Sequence, residues 1–184
     1  MQITRTDIEG VLIVEPKRFG DERGVFCETF KAPVLAEAGF DLPFVQDNCA
    51  RSGPRGVVRG LHMQRAPHAQ DKLVRCSRGR IFDVAVDCRP GSPTFGRHVG
   101  LELSAANWLQ LLVPKGFAHG YATLEEDCEV LYKVTAPYTP AEEEGLLWSD
   151  PALGIDWGVS PMEATVNARD QAWPTLAEWS AGRG

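Results

Sequence analysis

Short apolar or alternating runs, punctuated by Gly and Pro, most constrain what this chain can become. They are VLIVEP (11–16), GVFCETF (24–30), FVQDNCA (44–50), GVVRGLHM (56–63), KLVRCS (72–77), RIFDVAVDC (80–88), HVGLELS (98–104), WLQLLVP (108–114), HGYATL (119–124) and CEVLYKV (128–134). Runs of this length with period-2 alternation read as strands. Their spacing, about 8–12 residues, is that of a sandwich or barrel. CRPGSPTFG (88–96) is a dense turn signal between two of them. PVLAEAGF (33–40) alone among these central segments reads as helix, stopping at Gly39. After Tyr138 the pattern gives way to Pro, Trp and acidic residues, with fragments such as EEEGLLW (142–148) and AWPTLAEW (172–179). No linker or charge block separates this tail. The expectation is one all-β domain over residues 1–184, antiparallel, with its sheets closed into a barrel or jelly roll. The few short helices belong near residues 33–40 and in the C-terminal tail.

Composition narrows the function. The chain has 184 residues and a net charge of 19 − 25 = −6, which argues against non-specific nucleic-acid binding. A few local cations can still hold an anionic ligand. The first residues, MQITRTDIEG, contain no apolar signal region. No apolar run approaches the roughly 20 residues of a membrane helix. The five Cys (27, 49, 76, 88 and 128) form no C-x-x-C pair. They read as buried free thiols, and the chain as a cytoplasmic protein without a membrane partner.

In a barrel whose interior can hold a ligand, inward polar residues are informative. Arg59, His62, Lys72, His119 and Tyr132 all lie in strand-like segments. VPKGFAHG (113–120) matches the P-x-G-x-x-H element of cupin barrels, which often delivers a His to a metal. The first half of such a site, H-x-H, is missing, because position 64 is Gln. One His on each of two strands falls short of the three ligands a transition-metal site needs, so no metal is assigned. The remaining use of an interior His is proton transfer. A base of that kind needs an orienting carboxylate, and Asp71, Asp83 and Asp170 are all candidates. Lys72 could face a developing oxyanion, and Tyr132 could donate a proton. On pattern alone, a structural His62 satisfied by a backbone carbonyl is the favoured reading.

The combined motifs resemble the dTDP-4-dehydrorhamnose 3,5-epimerase family. The match runs through FGDERGVFCETF, FVQDNCARS, GVVRGLHMQ, QDKLV, FDVAVDCRPGSPTFG, VPKGFAHGY, YKVTAPYTP, EEEGLLWSDP and ARD, in order, over about residues 3–175. The resemblance implies a metal-free cupin-type jelly roll, without a cofactor, acting as a homodimer that exchanges N-terminal strands. It implies inversion at carbons 3 and 5 of dTDP-4-dehydro-6-deoxy-D-glucose. A relative that epimerises one carbon only is the alternative. By the family's motifs, His62 is the base, Asp170 its carboxylate partner, Tyr132 the acid on the far face and Lys72 the enolate partner.

For substrate binding, the same motifs imply Arg23, Glu28, Gln46, Asn48 and Arg59, with Arg59 on the diphosphate. Tyr138 would stack on thymine, with Phe19 and Phe26 helping to enclose it. His119, Glu143 and Arg169 are further matched positions, Arg169 standing where the family often has Lys. Met63 departs from the aromatic that commonly follows the RGLH His. Within RGLHMQRAPHAQDKLV (59–74), His68 and Asp71 are left as solvated loop residues.

Overall fold

The computed structural model describes residues 1–183. Thirteen strands form two main antiparallel sheets and a separate hairpin. The first sheet contains β1 (Gln2–Arg5), β2 (Leu12–Glu15), β5 (Gln46–Ser52), β7 (Lys72–Arg78), β10 (Gln110–Val113) and β12 (Cys128–Val134). Its strand order is β1-β2-β10-β7-β12-β5. The second contains β6 (Val58–Gln64), β8 (Arg80–Asp87), β9 (His98–Ser104), β11 (Phe117–Thr123) and β13 (Glu143–Gly145), ordered β13-β6-β11-β8-β9. The hairpin pairs β3 (Arg18–Asp21) with β4 (Gly24–Cys27). This is the cupin-type jelly roll. The two sheets enclose the interior without sharing a strand.

Alternation explains which side chains meet inside. Val74, Leu111 and Val130 from the first sheet pack with Ile81, Ala85, Leu103 and Phe117 from the second in one buried cluster. The outward face of the first sheet is covered separately. There Leu12, Leu73 and Leu112 pack with Leu35 of α1 (Ala32–Glu37). This helix ends as its sequence suggests. Gly39 has φ +98°, its N–H reaches Ala36 O at 3.0 Å, and the Phe40 N–H reaches Leu35 O at 2.9 Å. That is a Schellman closure, which favours glycine.

The C-terminal tail covers the outward face of the second sheet. Leu146, Trp148, Leu153 and Trp157 pack against Val58, Met63, Val84, Val86 and Ala118. Burying each such side chain contributes roughly 1.5–3 kcal/mol. The Trp157 indole N–H donates to Trp148 O at 2.8 Å, which satisfies its polar end. The tail then returns through a parallel bridge, Val57 to Thr165, to the short helix α2 (Ala168–Gln171). A final helix, α3 (Leu176–Ala181), starts with a capping box between Thr175 and Glu178.

Two expectations need correction. Asp71 is not a solvated loop residue: it is 5% exposed, and its carboxylate accepts from Lys115 N–H and the Thr135 hydroxyl, each at 3.0 Å. It ties the turn before β11 to the end of β12, contacts invisible in its local sequence. Of the five unpaired thiols, only Cys76, Cys88 and Cys128 are buried, whereas Cys27 is half-buried and Cys49 is exposed on an outward position of edge strand β5. No described helix is long and apolar enough to cross a membrane.

Candidate active site

A cavity of about 310 Å³ opens between the two sheets, beside their edge strands β5 and β13. Register places its polar lining. On β5, Gln46 and Asn48 share a face. They pair across the ladder with Val134 and Tyr132 of β12, and Val134 pairs in turn with Lys72 of β7. Alternation therefore presents Gln46, Asn48, Tyr132 and Lys72 on one inward surface. Facing them, His119 of β11 lies directly opposite His62 of β6.

Arg59 and His62 need a special device. They are three residues apart, so an unbroken strand would send them to opposite faces. The ladder slips here, with Arg59 opposite Tyr121 but His62 opposite His119. This bulge lets both side chains line the cavity. Gly60 sits inside it with φ +139°, and a Cβ there would lie 2.5 Å from Gly120 Cα. Glycine is required at this crossing of two backbones.

Asp170 of α2 holds the bulge and the imidazole together. Its Oδ1 lies 2.8 Å from His62 Nε2, and its Oδ2 accepts the Gly60 N–H at 3.1 Å. Asn167 caps the helix by accepting the Asp170 N–H at 2.7 Å. The carboxylate is fully buried. Burial alone would raise its pKa. His62, the Gly60 N–H and Arg169 outweigh burial and hold it below the ordinary carboxylate value. Of the three carboxylates open at the sequence level, Asp170 thus holds His62. Asp83 holds His119 instead, at 2.9 Å.

Lys72 is buried, and its ammonium donates to His62 O at 3.2 Å. Burial pushes its pKa down to about 8, against the opposing charges of Asp83 and Glu143. Burial raises the Tyr132 phenol, with the Arg59 charge acting in the opposite sense. The phenol therefore stays protonated at neutral pH, the form a proton donor needs.

At the rim, Glu143 accepts from the Tyr138 hydroxyl at 3.0 Å and pairs with Arg169. The Tyr138 backbone N–H donates to Gln46, which itself donates to Asn48 at 2.7 Å. Arg59 reaches Ser52 Oγ and Arg51 O, and its guanidinium borders the cavity. Eleven of the fifteen expected site residues therefore line one cavity.

Arg23, Glu28, Phe19 and Phe26 do not. Arg23 pairs with Asp21, Glu28 with Lys31, and the two Phe side chains are 47% and 66% exposed on the β3–β4 hairpin. Conversely, Gln64, Gln70 and Tyr121 line the cavity unforeseen. Tyr121 had a signal: it lies two residues beyond His119 on the same strand, hence on the same face. Among the described residues, no three His, Cys, Asp or Glu gather in a way that could hold a metal ion.

Known proteins resemble this chain along nearly its whole length. The dTDP-4-dehydrorhamnose 3,5-epimerase family profile matches residues 5–178. The enzyme of that name from Salmonella typhimurium is 51% identical over 177 residues, covering 96% of each chain. A crystal structure of a dTDP-6-deoxy-D-glucose-3,5-epimerase from Legionella pneumophila, in complex with dTDP-4-keto-L-rhamnose, superposes with TM-score 0.92. It is 44% identical and covers 98% of this chain and 95% of that one. A 3'-monoepimerase from Streptomyces bikiniensis, in complex with dTDP-quinovose, superposes with TM-score 0.90 at 35% identity, covering 97% and 89% of the two chains. The chain belongs to the dTDP-4-dehydrorhamnose 3,5-epimerase family of isomerases.

Proposed function

We propose that this chain inverts carbons 3 and 5 of dTDP-4-dehydro-6-deoxy-D-glucose to give dTDP-4-dehydro-L-rhamnose. The observation that carries the reading is the His62–Asp170 pair at 2.8 Å, with His62 on the sheet facing Lys72 and Tyr132 across one cavity. Hydrogens on carbons 3 and 5 are both alpha to the carbon 4 ketone and hence acidic. His62 takes one of them. The C–H electron pair moves into the ring and makes an enolate, whose oxygen the Lys72 ammonium stabilises. Tyr132 returns a proton to carbon from the opposite face. Asp170 fixes the His62 tautomer and stabilises the imidazolium as it forms. The C–H bond broken on one face is replaced by one made on the other, His62 then gives its proton to solvent and the Tyr132 phenolate takes one back, with no change of oxidation state.

The nucleotide end follows from the rim. Arg59 pairs with the diphosphate, and Arg169 adds positive charge there. Tyr138 stacks on the thymine. Gln46, Asn48, His119 and Glu143 contact the sugar nucleotide. The exposed hairpin, with Phe19, Phe26 and Arg23 outside their own cavity, supports a homodimer in which it reaches the partner's site with Glu28 beside it. Light scattering of the purified protein tests this and should give twice the chain mass. A nucleotide-sugar substrate supports a cytoplasmic location.

Identification of the product by NMR tests the reaction. Inversion at both carbons is expected. Inversion at carbon 3 alone would establish a second reading, favoured by the similarity to the Streptomyces monoepimerase.

A further inference from the structure

A second imidazole–carboxylate pair stands at the cavity, with His119 in its wall and Asp83 buried behind it. His119 Nε2 lies 2.9 Å from Asp83 Oδ1, and both residues are buried, Asp83 completely. Asp83 Oδ2 is also buried and has no hydrogen-bond partner among the described residues. A buried carboxylate oxygen in that state costs free energy unless a nearby cation compensates it. Lys72, buried on the facing sheet and lining the same cavity as His119, makes no ion pair with Asp83 within 4.0 Å, so its charge and that of Asp83 act on each other at longer range. The charged and titratable groups around it are Asp83 on β8, Glu143 on β13, His62 on β6, His119 on β11 and Tyr132 on β12.

We propose that Asp83 is a positioning residue for this reaction. Its Oδ1 holds the His119 ring by the Nε2–H, and its Oδ2 supplies the charge that keeps Lys72 protonated beside the substrate ketone. This inference rests on the reading of Lys72 as the enolate partner. Burial drives Lys72 toward its neutral form, and Asp83 is the leading charge that opposes it. Burial also lowers the His119 pKa, so the ring is neutral near pH 7 and can present one N–H to the carboxylate. Asp83 touches no substrate in this account. It acts through its two neighbours, and its loss alters a titration rather than removing a reacting group.

The test is a 13C NMR titration of Lys72 in wild-type protein and in Asp83→Asn, with melting curves to establish folding. Lys72 should titrate near 8 in the wild type. In the variant it should titrate lower by about one pH unit or more, the usual effect of a close opposite charge. The basic limb of kcat should move with it. An unchanged Lys72 titration in folded Asp83→Asn overturns the proposal. Should the variant not fold, 15N NMR of wild-type His119 decides. A neutral ring protonated at Nε2 is expected, and one protonated at Nδ1 overturns the proposal. Neither spectroscopic readout needs turnover, so failure of the epimerase reading would be separately visible.

Discussion

Asp170 binds both the imidazole of His62, at 2.8 Å, and the N–H of Gly60, at 3.1 Å. One carboxylate therefore orients the proposed base and fixes the bulge that turns it inward. Asp170→Asn keeps the shape but not the charge that stabilises an imidazolium. Turnover should fall about 10²–10⁴-fold, the range for a general base. Steady-state kinetics with circular dichroism of the variant measure this.

Tyr132→Phe should separate the two proton transfers. Abstraction by His62 survives, so solvent deuterium still enters the substrate. Formation of inverted product should drop about 10²-fold or more, because the acid on the far face is gone. Mass and NMR spectra of the same reaction mixture report both quantities.

Lys72 makes activity and stability respond oppositely to alkaline pH. Its folded pKa, about 8, lies below its ordinary value. Above about 8 the ammonium is lost, and with it the enolate stabilisation, so kcat should fall. Between about 8 and the ordinary lysine value near 10.4, the unfolded chain binds more protons at this site than the folded one. The Lys72 contribution to stability therefore rises with pH through that window. Lys72→Met should lower kcat about 10²–10³-fold and abolish this rise. Rate profiles and denaturant melts across the window check both limbs.

Gly60→Ala should damage fold and site together. The new Cβ would lie 2.5 Å from Gly120 Cα, at a φ that disfavours any L side chain. A loss of about 1–3 kcal/mol follows from the backbone strain alone. Chemical denaturation measures it, and activity should fall at the same time because Arg59 and His62 flank the residue.

Much of this was legible because alternation is local. All ten strand-like runs contain all or most of a strand, and PVLAEAGF contains most of α1. Three strands were not legible. QITR, RFGD and EEG are short and polar, the first two largely exposed, and they form through the ladders of their partners. The site divides the same way. Gln46, Asn48, Lys72 and Tyr132 follow from strand parity, whereas Arg59 and His62 share a face only because of a bulge that parity does not encode. Asp71, Asp83 and Asp170 could not be ranked from sequence, since each finds its partner by long-range packing. Asp71 was misjudged for that reason: its neighbours are polar, but its acceptors are filled by Lys115 and Thr135.

Incubation in deuterated water with dTDP-4-keto-6-deoxyglucose tests the central claim most directly. Deuterium should enter at both carbon 3 and carbon 5 with the wild-type protein, and at neither at a comparable rate with His62→Ala. Wild-type protein that leaves both carbons unlabelled, or a His62→Ala protein that labels them at the full rate, would contradict the account.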